Sequence, residues 1–165
     1  MAKVTIKTAD EYSIKLSQLE AQYQEGVAGK AIYAGAKVVA DQMKSNLKAL
    51  PVDKNRRLKS GEKFDVLTQK QKDGLLEHFG VSPMEQDADG NYNVKCGFDG
   101  YIEGTESKKY PQGLPAPLLA RAIESGSSVR QKHPFARPAV SATKGRAKEE
   151  MARVIDDECQ KIMKG

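Results

Sequence analysis

The side chains with catalytic potential are few: two histidines, His78 and His133, and two cysteines, Cys96 and Cys159. The arrangement with most chemistry in it would set His133 beside Cys159, with Asp156 as the orienting acid. A thiolate nucleophile needs an adjacent base, and that base needs a partner to hold its ring. The pattern argues against it, because Cys159 falls on the apolar side of an expected C-terminal helix, where a thiol serves as a small hydrophobe. The histidines stand 55 positions apart, and neither has a cysteine nearby at the spacing of a zinc ligand set. The sequence also carries no glycine-rich phosphate loop and no HExxH pair. Cys96 and Cys159 form no CxxC and are expected as buried, reduced thiols of a cytosolic-type chain. His78 is expected to be structural or solvent-exposed, and His133, just before Pro134, to make a polar contact to loop backbone. The expectation is a protein that is not an enzyme, with no catalytic residue, cofactor, metal or small-molecule substrate.

Charge is the stronger signal. The formal net charge is +5, and seven cations crowd into 121–148: Arg121, Arg130, Lys132, Arg137, Lys144, Arg146 and Lys148, against Glu124 alone. A second basic run spans 52–63 and includes Arg56, Arg57 and Lys59. Such residues suit a solvated face, an acidic protein partner, or DNA phosphates contacted without sequence readout. No aromatic residues interleave the 52–63 run, so single-strand stacking is not indicated.

The elements that must position these groups follow from periodicity. With 165 residues, one domain over 1–165 is expected. Aromatics are 6% and tryptophan is absent, so the core must be aliphatic and modest. Residues 3–8 alternate as a short strand, and Asp10 can cap the helical stripe that follows: Tyr12, Leu16, Leu19, Tyr23, Val27, then Ile32, Ala36, Val39, Met43, Leu47 and Leu50. Gly26 and Gly29 mark a bend or a close contact, and Pro51 stops the helix. The 52–63 segment reads as an exposed basic loop. Thr68 with Gln71 is a capping-box pattern opening a short helix whose apolar face is Leu75, Leu76 and Phe79, with Gly80 just past its end. Gly74 inside that helix signals tight packing or a marginal element. Tyr92, Val94, Cys96 and Phe98 alternate as one strand, with a partner strand beginning at 101–103, and together they imply a small antiparallel sheet. The stretch 104–117 is a proline-rich loop, and Pro117 opens a helix that Gly126 ends. Pro134 and Pro138 bracket Phe135 and fix an apolar corner, since each proline restrains its own φ and the residue before it. The last helix is expected from 138 or 139, with Ala147, Met151, Val154, Ile155, Cys159 and Ile162 on one broad face. The fold class is therefore α+β: a small antiparallel sheet against long N- and C-terminal helices, with short helices between. Met1 to Asp10 holds no apolar run, and nothing approaches the roughly 18 apolar residues of a membrane span, so no membrane contact is expected and the cytoplasm is the default compartment.

Three blocks give this pattern a likeness. They are 67–81, with its capping box and Phe79-Gly80-Val81; 92–101, reading YNVKCGFDGY; and 119–140, in which Glu124, Gly126 and the Pro134-Phe135-Ala136-Arg137-Pro138 run stand in order. On these blocks the chain resembles the HK97 gp10-like family of tailed-phage neck and tail-completion proteins, in the form found in phages and prophages of Gram-positive bacteria. The likeness spans roughly 10–163, and the third block is the most specific. It implies a non-enzymatic structural protein of the virion, at the head–tail connector or the top of the tail, working as a homo-oligomeric ring. The implied partners are further copies of the chain, a tail terminator or tail tube protein, and a head-completion protein; DNA passing through the ring would lie near it without being read. The implied location is the virion neck or tail, with assembly in the host cytoplasm. The basic segment 52–63 departs from the shorter members. The corner itself suggests Phe135 as a buried anchor, with Glu124 and Arg137 paired to orient it. A DNA-associated basic protein that contacts phosphates non-specifically is the alternative reading.

Overall fold

Two long helices, α1 (Ala28–Lys48) and α4 (Ala136–Lys164), lie side by side and frame everything else. The computed structural model describes residues 26–53 and 61–164. The expected strand at 3–8, the Asp10 cap, the stripe residues Tyr12, Leu16, Leu19 and Tyr23, and the cations Arg56, Arg57 and Lys59 lie outside the described residues. The long helices run antiparallel: Lys30 near the start of α1 pairs with Glu158 near the end of α4. Five residues further along α1, Gly35 faces Met151 so closely that a Cβ there would stand 2.6 Å from Met151 Cγ.

Between them come α2 (Gln69–Glu77), β1 (Phe79–Val81), β2 (Glu85–Gln86), β3 (Tyr92–Asn93), β4 (Cys96–Phe98), β5 (Tyr101–Ile102), β6 (Leu114–Pro115) and α3 (Ala116–Ser125). This is the expected α+β arrangement. The α2 start is the capping box read from the sequence: Thr68 Oγ1 accepts from the Gln71 N–H and Gln71 Oε1 accepts from the Thr68 N–H, each at 3.2 Å. Gly74 reflects tight packing, because a Cβ there would meet Ile102 Cγ2 at 2.4 Å.

The sheet differs from expectation. Among the described residues it is three separate antiparallel ribbons, β1–β4, β2–β3 and β5–β6. The alternating run 92–98 is broken at Val94 and Lys95, where Ser82 takes over the pairing. Its N–H donates to the Lys95 carbonyl and its Oγ accepts from the Lys95 N–H. The strand at 101–102 pairs with Leu114–Pro115, inside the stretch read as loop. Gly80 does not follow the helix but sits mid-strand opposite Gly97, and Phe79, read as a helix-face residue, enters the core from β1 opposite Phe98.

One core joins these pieces, centred on Leu47, Leu75, Ile102, Ile123 and Phe135, all nearly fully buried. Phe98 links Phe79 and Phe135 by edge-on ring contacts at 5.2 and 5.8 Å. Burying such side chains contributes roughly 1.5–3 kcal/mol each, and this cluster lies wholly at one end of the α1–α4 pair.

Candidate functional site

The corner between α3 and α4 is built around one carboxylate. α3 carries Leu119, Ala120 and Ile123 into the core, which leaves Glu124 at its edge facing the incoming chain. Gly126 ends α3 with φ +76°, a left-handed conformation that suits glycine, and a Cβ there would meet Lys132 Cβ at 3.3 Å. The chain then returns, and the His133 N–H donates to the Ile123 carbonyl at 2.8 Å. Glu124 Oε2 accepts from the Phe135 and Ala136 N–H groups at 2.8 Å, and Oε1 accepts from the Arg137 N–H at 3.0 Å.

A helix start leaves four N–H positions without intrahelical partners. Here Glu124 takes three, and the fourth belongs to Pro138, which has no N–H to satisfy. The negative charge also sits where the helix dipole favours it. Burial disfavours the ionised carboxylate and is the largest single influence on it. The three backbone donors and the Arg137 guanidinium together outweigh that influence and hold the Glu124 pKa below the usual glutamate range. The expected Glu124–Arg137 pairing is present, with Nε to Oε1 at 3.8 Å, but it is the lesser contact. The helix begins at Ala136 rather than at 138 or 139 because its cap arrives from a different helix. Asn46 Nδ2 of α1 donates to the Phe135 carbonyl at 2.9 Å and closes the corner from the other side.

Arg130 corrects the sequence reading most. Grouped with the surface cations, it is instead buried, at 8% exposure. Its Nη1 donates to the Val66 carbonyl at 2.9 Å, its Nη2 to Gln71 Oε1 at 3.3 Å, and its guanidinium lies over the Phe64 ring. Desolvation lowers its pKa. The Phe64 and Arg130 backbones form a parallel bridge, so this arginine ties the serine-rich loop to the entrance of α2. No local pattern announced it, because its partners lie about sixty residues upstream.

The remaining cations do not form one patch. Arg121, Lys132, Lys144, Arg146 and Lys148 are exposed. At 100° per residue, Lys144 and Lys148 fall on the side of α4 that carries Arg137 and Ser141. Arg146 lies on another side, beside Glu150 and the Lys37–Asp41 pair of α1.

The imagined Cys-His pair is not brought together. Cys159 lies 23 residues beyond the start of α4, about 34 Å along its axis at 1.5 Å per residue, whereas His133 packs near Leu50, Asp65 and Arg130 at the opposite end. His133 Nε2 is buried with no hydrogen-bond partner among the described residues. His78 is half-buried, 3.9 Å from Asp99. Neither cysteine is fully buried. Among the described residues no group of three His, Cys, Asp or Glu side chains could hold a metal ion, and no helix is long and apolar enough to cross a membrane.

Among the described residues, a concavity of about 860 Å³ forms an apolar groove where α1, α4 and the segment 92–96 meet. Ile32, Ala36 and Val39 of the first-helix stripe line it, together with Val140 and Met151 of α4 and the thiol of Cys96. Partial burial pushes the Cys96 thiol pKa up, making it a poor nucleophile. Compared with family models, curated proteins and solved structures, the chain matches none.

Proposed function

We propose that this chain is a non-enzymatic structural subunit of a tailed-phage virion, forming a ring at the head–tail connector or the top of the tail. The role comes from the resemblance to the HK97 gp10-like family. The observation that supports the proposal is the corner at 124–138: the most specific block of that resemblance is scaffold, a carboxylate and a buried phenylalanine fixing the start of a 29-residue helix. Partners in this reading are further copies of the chain, a tail tube or terminator protein and a head-completion protein, met in the host cytoplasm during assembly. The test is a light-scattering mass measurement of the full chain with and without purified tails from the phage or prophage that encodes it. Several copies joining each tail are expected; a chain that keeps its unmixed mass beside tails overturns the reading.

The DNA-associated alternative is weakened by particular residues. Arg130 is withdrawn from the surface, Arg137 faces Glu124, and Arg146 points away from Lys144 and Lys148. Duplex binding whose salt slope reports several neutralised phosphates would restore it.

A further inference from the structure

Two glycines of α1 lie against methionine sulfur. At Gly29 an added Cβ would stand 3.6 Å from Met84 Sδ, an ordinary contact. At Gly35 the fit is closer: an added Cβ would stand 2.7 Å from Met151 Sδ and 2.6 Å from its Cγ, with the Ala147 carbonyl oxygen at 3.3 Å. The Met151 thioether therefore fills the space that a side chain at 35 would take, a notch that an unbranched, polarizable side chain suits. Of the apolar face expected on α4 only Ala147 is buried, whereas Met151, Val154, Ile155, Cys159 and Ile162 are half-exposed. Met151 lines both the groove and a second concavity, of about 570 Å³, that reaches Ala28 and Ala31. Small solutes thus approach it from two openings, while Met43 is shut in the core at 6% exposure.

A peroxide oxidises such a thioether by two electrons. A sulfur lone pair attacks one peroxide oxygen, the O–O bond breaks and an S–O bond forms. The proton on the transferred oxygen passes to the departing hydroxide, which leaves as water. The product is a polar sulfoxide. On the Gly35 side the sulfur already lies against backbone, so an added oxygen has no room there. The polar atom at the notch is the Ala147 carbonyl, which accepts hydrogen bonds and cannot donate one to a sulfoxide. Holding that oxygen without a donor is costly, so the oxidised side chain turns out to water and the notch loses its filling. The exposed Lys30–Glu158 pair that remains further along is of a kind that contributes little.

We propose that Met151 is a peroxide-sensitive latch, which holds α4 against α1 when reduced and releases that contact when its sulfur carries oxygen. The inference does not depend on a virion role. The test treats the full chain with graded hydrogen peroxide, then with dithiothreitol to return Cys96 and Cys159 to thiols. Peptide masses should show Met151 gaining one oxygen several-fold faster than Met43. As it does so, Tm should fall by about 4 °C or more and amide exchange should rise around Gly35. Methionine sulfoxide reductases should reverse both changes. Met151→Leu, a volume-conserving swap, should lose most of the peroxide response, and Met84→Leu should keep it. Gly35→Ala should reproduce the loss of Tm without peroxide. Oxidation of Met151 with Tm and exchange unchanged, a Met151 that reacts no faster than Met43, or a full Tm drop surviving in Met151→Leu would overturn the proposal.

Discussion

The corner around Glu124 and the groove along the side of the α1–α4 pair adjoin each other, are made of similar residues and are finished differently. At the corner, the apolar side chains pack into the core and two charged groups that folding strips of water are answered: Glu124 takes three N–H groups and Arg130 finds a carbonyl and an amide oxygen. In the groove, which runs from Ala136 and Arg137 beside the corner to Met151, the same kind of aliphatic stripe lies half-covered beside exposed lysines. Hydrophobic burial scales with area removed from water, so the core at the corner contributes more to the stability of the fold than the half-covered groove.

Substitutions at the corner and in the groove test that division. The largest effect is expected for Phe135→Ala, about 3–5 kcal/mol lost in denaturant unfolding, the range for removing a buried aromatic. A loss below about 1 kcal/mol would move Phe135 out of the subunit's own core and collapse the comparison. Glu124→Ala should follow at about 1–3 kcal/mol, since it strands buried donors at the start of α4. Its signature is pH dependence. The native carboxyl titrates below its unfolded value, so the native state binds fewer protons and stability rises with pH across that interval. The contribution is complete above the ordinary glutamate value of about 4.3 and disappears as pH falls through the lower native one. The gap between wild type and Glu124→Gln should therefore narrow on acidification, and a gap independent of pH would show that the charge contributes nothing.

Gly74→Ala should cost about 1–2 kcal/mol by thermal unfolding. The overpacking against Ile102 outweighs a helix-propensity gain of about 1 kcal/mol. In the groove, Val140→Ser should change fold stability by about 0.5 kcal/mol or less, and a large stability loss there would mean the groove is already covered within one chain.

How much of this was legible depends on the distance over which each cause acts. The α2 cap, the Gly126 stop and the buried Phe135 rest on neighbours within a few residues, and local pattern found them. The start of α4 was misplaced because its cap lies twelve residues upstream on another helix, so the prolines were the only local cue. Alternation at 92–98 showed extended backbone but could not show that Ser82 interrupts the pairing or that Tyr101 and Ile102 seek Leu114 and Pro115. Arg130 was misread because an arginine in a serine-rich loop looks the same whether it meets water or a carbonyl sixty residues away. Gly35 carried a faint signal, a small residue four positions after buried Ala31 on the same helix face. Gly26, given weight in the sequence, has nothing within 4 Å of an added Cβ.

The Glu124 cap also has a mechanical consequence. α4 is 29 residues long, about 43 Å at 1.5 Å per residue, and it is held at its root by a carboxylate from another helix. A tilt of about 5° at that root would swing the far tip by roughly 4 Å over this length, about the thickness of a methylene layer. α1 lies along the side of α4 and pairs with it near the tip through Lys30 and Glu158, so root and flank together set where the tip lies.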